Sequence, residues 1–182
     1  MVRLAGQLEV NVPQGGAKAN VDHIPVEALL LAEEAAVRAL PPEDPDRRAT
    51  AAKAALDTVR RVRTAEVLAE VRTLLNDATP DRIGINASME RSPALLADLR
   101  ERHDRLRVPL LTTLGNDPSP EVRHLGALLE LALSNVIGAD ESFVRELLNG
   151  KRDVLPVRQE AIEHHTTAMR VHDRLQEMTQ GT

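Results

Sequence analysis

From Ile24 onward, apolar residues recur every three or four positions between sharp interruptions, the pattern of amphipathic helices. Pro25 suits a first helical turn. Val26, Leu29, Leu30, Val37 and Leu40 follow at helical spacing until Pro41-Pro42 stops the run. Asp44-Pro45 combines an N-cap with a first-turn proline. It opens a long predicted helix to about Leu75, with Leu56, Val59, Val67, Val71 and Leu74 on one face and Asn76-Asp77 at its end. Arg63 falls on that stripe, where it either pairs with Glu66 or Glu70 or reaches out of a subunit contact.

Thr79-Pro80-Asp81 opens a shorter helix to about Met89, and Ser92-Pro93 the next, with Leu95, Leu96, Leu99, Leu106, Leu110, Leu111 and Leu114 as its apolar set. Pro109 is expected to kink it, and Gly115 to cap it. Ser119-Pro120-Glu121 opens a run that is apolar nearly all round (Val122, Leu125, Leu128, Leu129, Leu131, Leu133, Val136, Ile137), which predicts a centrally buried helix. Gly138 is read as its end, Asp140 as the cap of a short helix to about Leu148, and Asn149-Gly150 as the next break. Pro156 opens the last helix, to about Met178.

Residues 1–22 differ. Gln7-Leu8-Glu9-Val10-Asn11-Val12 alternates with period two before Pro13-Gln14-Gly15-Gly16 breaks it. A lone strand cannot stand by itself, so the segment reads as an extended or partly ordered N-terminal arm that could add to a neighbour. Residues 23–182 read as a single helical domain.

Composition strengthens the all-α reading. Apolar residues make up 42% of the chain, yet there is no Trp or Tyr and a single Phe, Phe143. The core must be Leu, Val, Ala and Ile, of which Ala and Leu are the strongest helix formers. Strand-rich folds draw instead on aromatic and β-branched residues. The net charge of −5 gives no global attraction to nucleic acid or anionic lipid. The absence of cysteine excludes disulfides and thiolate sites. There is no 18-residue apolar run to span a membrane, and Met1-Val2-Arg3-Leu4 begins no signal peptide, so a cytoplasmic location is expected.

The punctuation repeats. Asn76-Asp77-Ala78-Thr79-Pro80-Asp81 matches Asn116-Asp117-Pro118-Ser119-Pro120-Glu121 forty residues on, and Val122-Arg123 recurs as Val157-Arg158 after thirty-five, with Gly126 and Ala161 four residues beyond each valine. Such periods mark stacked helix pairs. Residues 95–137 resemble a HEAT repeat, with Pro109 in the first helix, Asp117 in the turn, and Val122 and Arg123 opening the second. The resemblance implies a proline kink, an Asp–Arg ladder between repeats, extended through Val157 and Arg158, and a valine between the paired helices. The fold expected is a short HEAT-like stack of antiparallel helix pairs, with an irregular helical bundle as the alternative.

No residue set commits the chain to catalysis. His165 and His172 share a helical face with Ala161, Ala168 and Leu175, and read as satisfied histidines at a helix seam. Glu121 and His124 have a Glu-x-x-His spacing, but a di-iron site needs it twice. The serines (Ser88, Ser92, Ser119, Ser134, Ser142) fall mainly at predicted helix starts, where capping explains them, and Gln14-Gly15-Gly16-Ala17-Lys18 lacks the spacing of a phosphate loop. No catalytic residue, metal ligand or cofactor is assigned. Arg47, Arg48, Lys53, Arg60, Arg61 and Arg63 form the candidate anion-contact set for backbone-directed nucleic-acid binding. A second basic stretch, Arg100, Arg102, Arg105 and Arg107, is interleaved with Asp98, Glu101 and Asp104 and reads as an ion-paired face. The function expected is a non-enzymatic interaction or assembly module whose partner is another protein or a second copy of the chain. The alternatives are nucleic-acid binding and a metal-dependent enzyme using His165 and His172.

Overall fold

The structure is a computed structural model that describes residues 26–39, 45–88, 92–150 and 153–180. The expected N-terminal arm lies outside them. The described residues form α-helices and no strand: α1 (Val26–Arg38), α2 (Pro45–Asp77), α3 (Pro80–Ser88), α4 (Ser92–Gly115), α5 (Pro120–Leu148) and α6 (Leu155–Gln180). The all-α fold class follows directly.

Contacts divide the chain inside α2, between Val62 and Arg63. The first unit holds α1 and the beginning of α2. Glu33, Ala36 and Val37 meet Ala51, Ala54, Ala55 and Thr58 across a shallow groove. Among its described residues Ala55 and Val59 are buried apolar side chains, while Leu31 and Leu56 are exposed. Leu56 thus departs from the buried stripe expected for α2.

The second unit contains the rest of α2 and α3 to α6. Here α2 buries Val67, Leu68, Val71, Leu74 and Leu75 against Leu99, Leu110, Leu114, Leu129, Leu133, Val136 and Leu175 of the later helices. Each such side chain removed from water contributes about 1.5–3 kcal/mol before entropy is counted. Polar contacts define who neighbours whom. Arg102 of α4 pairs with Asp77 of α2 at 2.7 Å. Arg100 and Arg107 of α4 pair with Glu141 and Glu130 of α5 at 2.6 and 3.0 Å. Arg174 of α6 reaches Glu121 of α5, and α6 returns to α2 through His165 and His172. Contacts therefore run round a ring, with each helix antiparallel to its neighbours. In an open stack the first and last helices lie apart, so this is the connectivity of the bundle alternative, and it does not establish HEAT-like stacking.

Two sequence expectations are corrected in α5. Gly138 does not end it and Asp140 is not a cap: the helix runs unbroken for 29 residues. The true start is Ser119, whose Oγ accepts from Val122 N, with Pro120 in the first turn. The true end is Asn149-Gly150, where Gly150 takes φ +68°, a left-handed conformation that suits glycine. Gly138 stays helical because the inner face continues on both sides of it, through Val136 and Ile137 and then Asp140, Phe143 and Val144. Nor is α5 buried all round, since Leu128 and Leu131 are exposed. Its close neighbour is α4. A Cβ on Gly126 would lie 2.6 Å from Leu114 Cβ, so glycine permits that approach. Across the same seam α4 remains helical through Pro109.

Candidate functional site

The chemistry-bearing side chains that the fold brings together lie on the α2–α6 seam. Leu68 and Leu75 are seven apart on α2, as are His165 and His172 on α6, so two antiparallel helices place each ring opposite a carbonyl. His172 Nε2 donates to Leu68 O and His165 Nε2 to Leu75 O, both at 2.9 Å. A carbonyl only accepts, which places the proton on each Nε2. Leu75 O belongs to the last turn of α2, where carbonyls lack helical partners, so His165 caps that end from the side. His172 is 1% exposed. Its Nδ1 lies 3.1 Å from Asp173 Oδ1, and that oxygen accepts from Arg72 at 2.7 Å. Sequence spacing identified this pair of histidines. Their long-range carbonyl partners carry no sequence signal.

The other sequence-predicted residues are scattered. Arg123 donates to the carbonyls of Asp117 and Pro118 in its own turn, while Asp117 Oδ1 accepts from Ser119 N. Arg158 pairs with Asp81 of α3 at 2.5 Å. Val122 is buried, Val157 packs on the core, and Pro109 is exposed. At about 100° per residue, the candidate anion contacts spread round α2 rather than forming one stripe. Lys53 and Arg60 share one side, Arg47 and Arg61 another, and Arg48 and Arg63 point elsewhere. Arg60 is engaged by Asp57 at 2.9 Å. Arg63 is exposed.

Two features went unread in the sequence. Ser134 lies mid-α5, where its Oγ is 3.5 Å from His103 Nε2, and His103 Nδ1 is 3.8 Å from Asp104 Oδ1. The order Ser–His–Asp invites a nucleophile reading. Both distances are long for a working relay, and the amides around Ser134 are committed to the α5 ladder, which leaves none to form an oxyanion hole. The second feature is Asp140, fully buried with neither carboxylate oxygen hydrogen-bonded. Burial pushes its carboxyl up to about 8. At Arg102 burial acts to lower the pKa, but Asp77 and Asp98 outweigh it and the net shift is upward. That merely fixes the charge of an already cationic group.

Among the described residues no cluster of three or more His, Asp or Glu side chains is arranged to hold a metal ion. No helix of the described residues is long and apolar enough to cross a membrane. No protein-family model matches the sequence, no curated protein is similar to it, and no solved structure matches the fold.

Proposed function

We propose that this chain is a non-enzymatic interaction or assembly module that offers helical surface to another protein or to a second copy of itself in the cytoplasm. The observation that carries this reading is the apolar surface left on the outward turns of two adjacent helices. Val108 (65% exposed) and Leu111 lie one turn apart on α4, and Leu128 and Leu131 (55%) one turn apart on α5. Exposed apolar side chains in neighbouring pairs favour a recognition surface. Their surroundings support the same reading: α4 and α5 are tied by Arg107–Glu130 and by the Gly126 approach, so the surface sits on a rigid support. HEAT-like use of these helix pairs as a docking face belongs to the same proposal. Nucleic-acid binding through Arg47, Arg48, Lys53, Arg60, Arg61 and Arg63 has less support, because those side chains diverge round α2.

The test is paired. Light scattering and cross-linking of the purified chain are compared with Val108→Glu/Leu131→Glu. The expected result is loss of association at unchanged helicity and unfolding midpoint. A chain that is monomeric, and that captures the same partners before and after substitution, overturns the reading.

A further inference from the structure

Four polar side chains are buried among the described residues: Thr64, His103, Asp140 and His172. The two histidines have partners, Ser134 and the Leu68 carbonyl. Asp140 has none, although its residue is 0% exposed and it could accept several hydrogen bonds. It lies one helical turn before Phe143 on the inward face of α5. The Phe143 ring comes within 3.6 Å of a Cβ built on Gly84, so α3 packs on this part of α5.

Among the described residues, these charged groups on the helices around α5 pair elsewhere. On α3, Asp81 pairs with Arg158, and Arg82 with Asp77. On α4, Arg100 pairs with Glu141, Arg102 with Asp77, and Arg107 with Glu130, while His103 meets Ser134. On α6, Arg174 pairs with Glu121. Burial is the sole cause of the upward shift at Asp140, and no neighbouring charge contributes. An ionised carboxylate has nothing to stabilise it there, whereas the neutral acid is tolerated.

α3, which packs on α5 here, is also the shortest of the described helices. α3 has nine residues, below the length at which an isolated helix is stable; among its described side chains Pro80 and Ile83 are buried, and Asp81 and Arg82 form surface ion pairs. Such segments open at lower cost than the core.

We propose that Asp140 is a proton-controlled latch where α3 packs on α5: with its carboxyl protonated this contact stays closed, and loss of that proton to solvent drives the carboxylate to water and opens the α3–α5 contact. An acid that ionises only when open makes the opening constant rise about tenfold per pH unit up to its closed-state value.

Hydrogen exchange on the full chain, corrected for intrinsic rates and followed by mass spectrometry between about pH 5 and pH 8, tests this. Exchange in α3 and around Val136–Val144 is expected to steepen about tenfold per pH unit, while the α2–α6 seam shows no such slope. Asp140→Asn is expected to abolish the slope. A flat wild-type profile overturns the proposal. So does a slope equal in all helices, which signals global unfolding, or one that Asp140→Asn retains. If Asp140→Asn does not fold, the regional wild-type profile decides alone.

Discussion

His172 and Asp140 are both buried titratable side chains in the same four-helix ring, and they occupy opposite situations. His172 sits opposite Leu68 O, with Asp173 at its second nitrogen. Asp140 points into the core with no hydrogen-bond partner. One polar group is built into the seam, and the other is held against its chemistry. A satisfied buried group stabilises a unique packing, whereas an unsatisfied one stores cost that some other function must explain. The difference locates where this molecule is fixed and where it is poised.

The largest effects test that contrast by sign. His172→Ala removes a hydrogen bond and leaves a cavity, and is expected to cost about 3 kcal/mol. Asp140→Val removes a group whose burial opposes ionisation, and is expected to stabilise the fold near neutral pH by on the order of 2–3 kcal/mol. Denaturant midpoints measure both. Destabilisation of the same size at both sites would erase the comparison.

The pH dependence follows with a definite sign. Asp140 titrates at about 8 in the folded state, against an ordinary value of 3.8. Across that window the folded chain keeps a proton that the unfolded chain has released. Its contribution to stability is complete below the ordinary value and is lost as pH rises, by about 1.4 kcal/mol per unit, levelling above the folded value. Subtracting the Asp140→Asn profile from the wild-type profile isolates this from the other carboxylates and the histidines. A difference that is flat, or that rises with pH, would remove Asp140 from the argument.

The two sites were not equally legible. Heptad spacing set His165 and His172 on one face with Ala161, Ala168 and Leu175, and the fold placed that face in a seam. Helix starts at Pro45, Pro80 and Pro120 were likewise readable, because proline and capping residues act locally. Asp140 was misread for a related reason. Gly-Ala-Asp has the local chemistry of a helix break and a new cap, and only the inward face continuing through Phe143 and Val144 shows otherwise. Ring closure between α2 and α6 was unreadable, since it depends on carbonyls whose position no side chain announces. The repeated punctuation near Asp77 and Asp117 marks helix starts equally well in a stack or a ring.

A smaller substitution sharpens the placement of Asp140 itself. Gly138 is exposed and helical, and a Cβ there meets nothing within 4 Å. Gly138→Ala is therefore expected to stabilise by up to about 1 kcal/mol through lower unfolded-state entropy. Destabilisation would restore the break and return Asp140 to a capping role. Gly126→Ala, three turns earlier, is expected to go the other way, because its Cβ collides with Leu114.

The smallest effect asks what satisfies His172. Arg72–Asp173 is a half-exposed pair, with side chains 42% and 54% accessible, and such pairs contribute about 0–1 kcal/mol. Asp173→Asn keeps the shape and removes the charge, so it should cost less than about 1 kcal/mol, leaving the Leu68 carbonyl as the principal partner of the ring. If Asp173→Asn instead costs as much as His172→Ala, the seam is held by the carboxylate. The contrast with Asp140 would then rest on a neighbouring side chain rather than on hydrogen bonding to backbone.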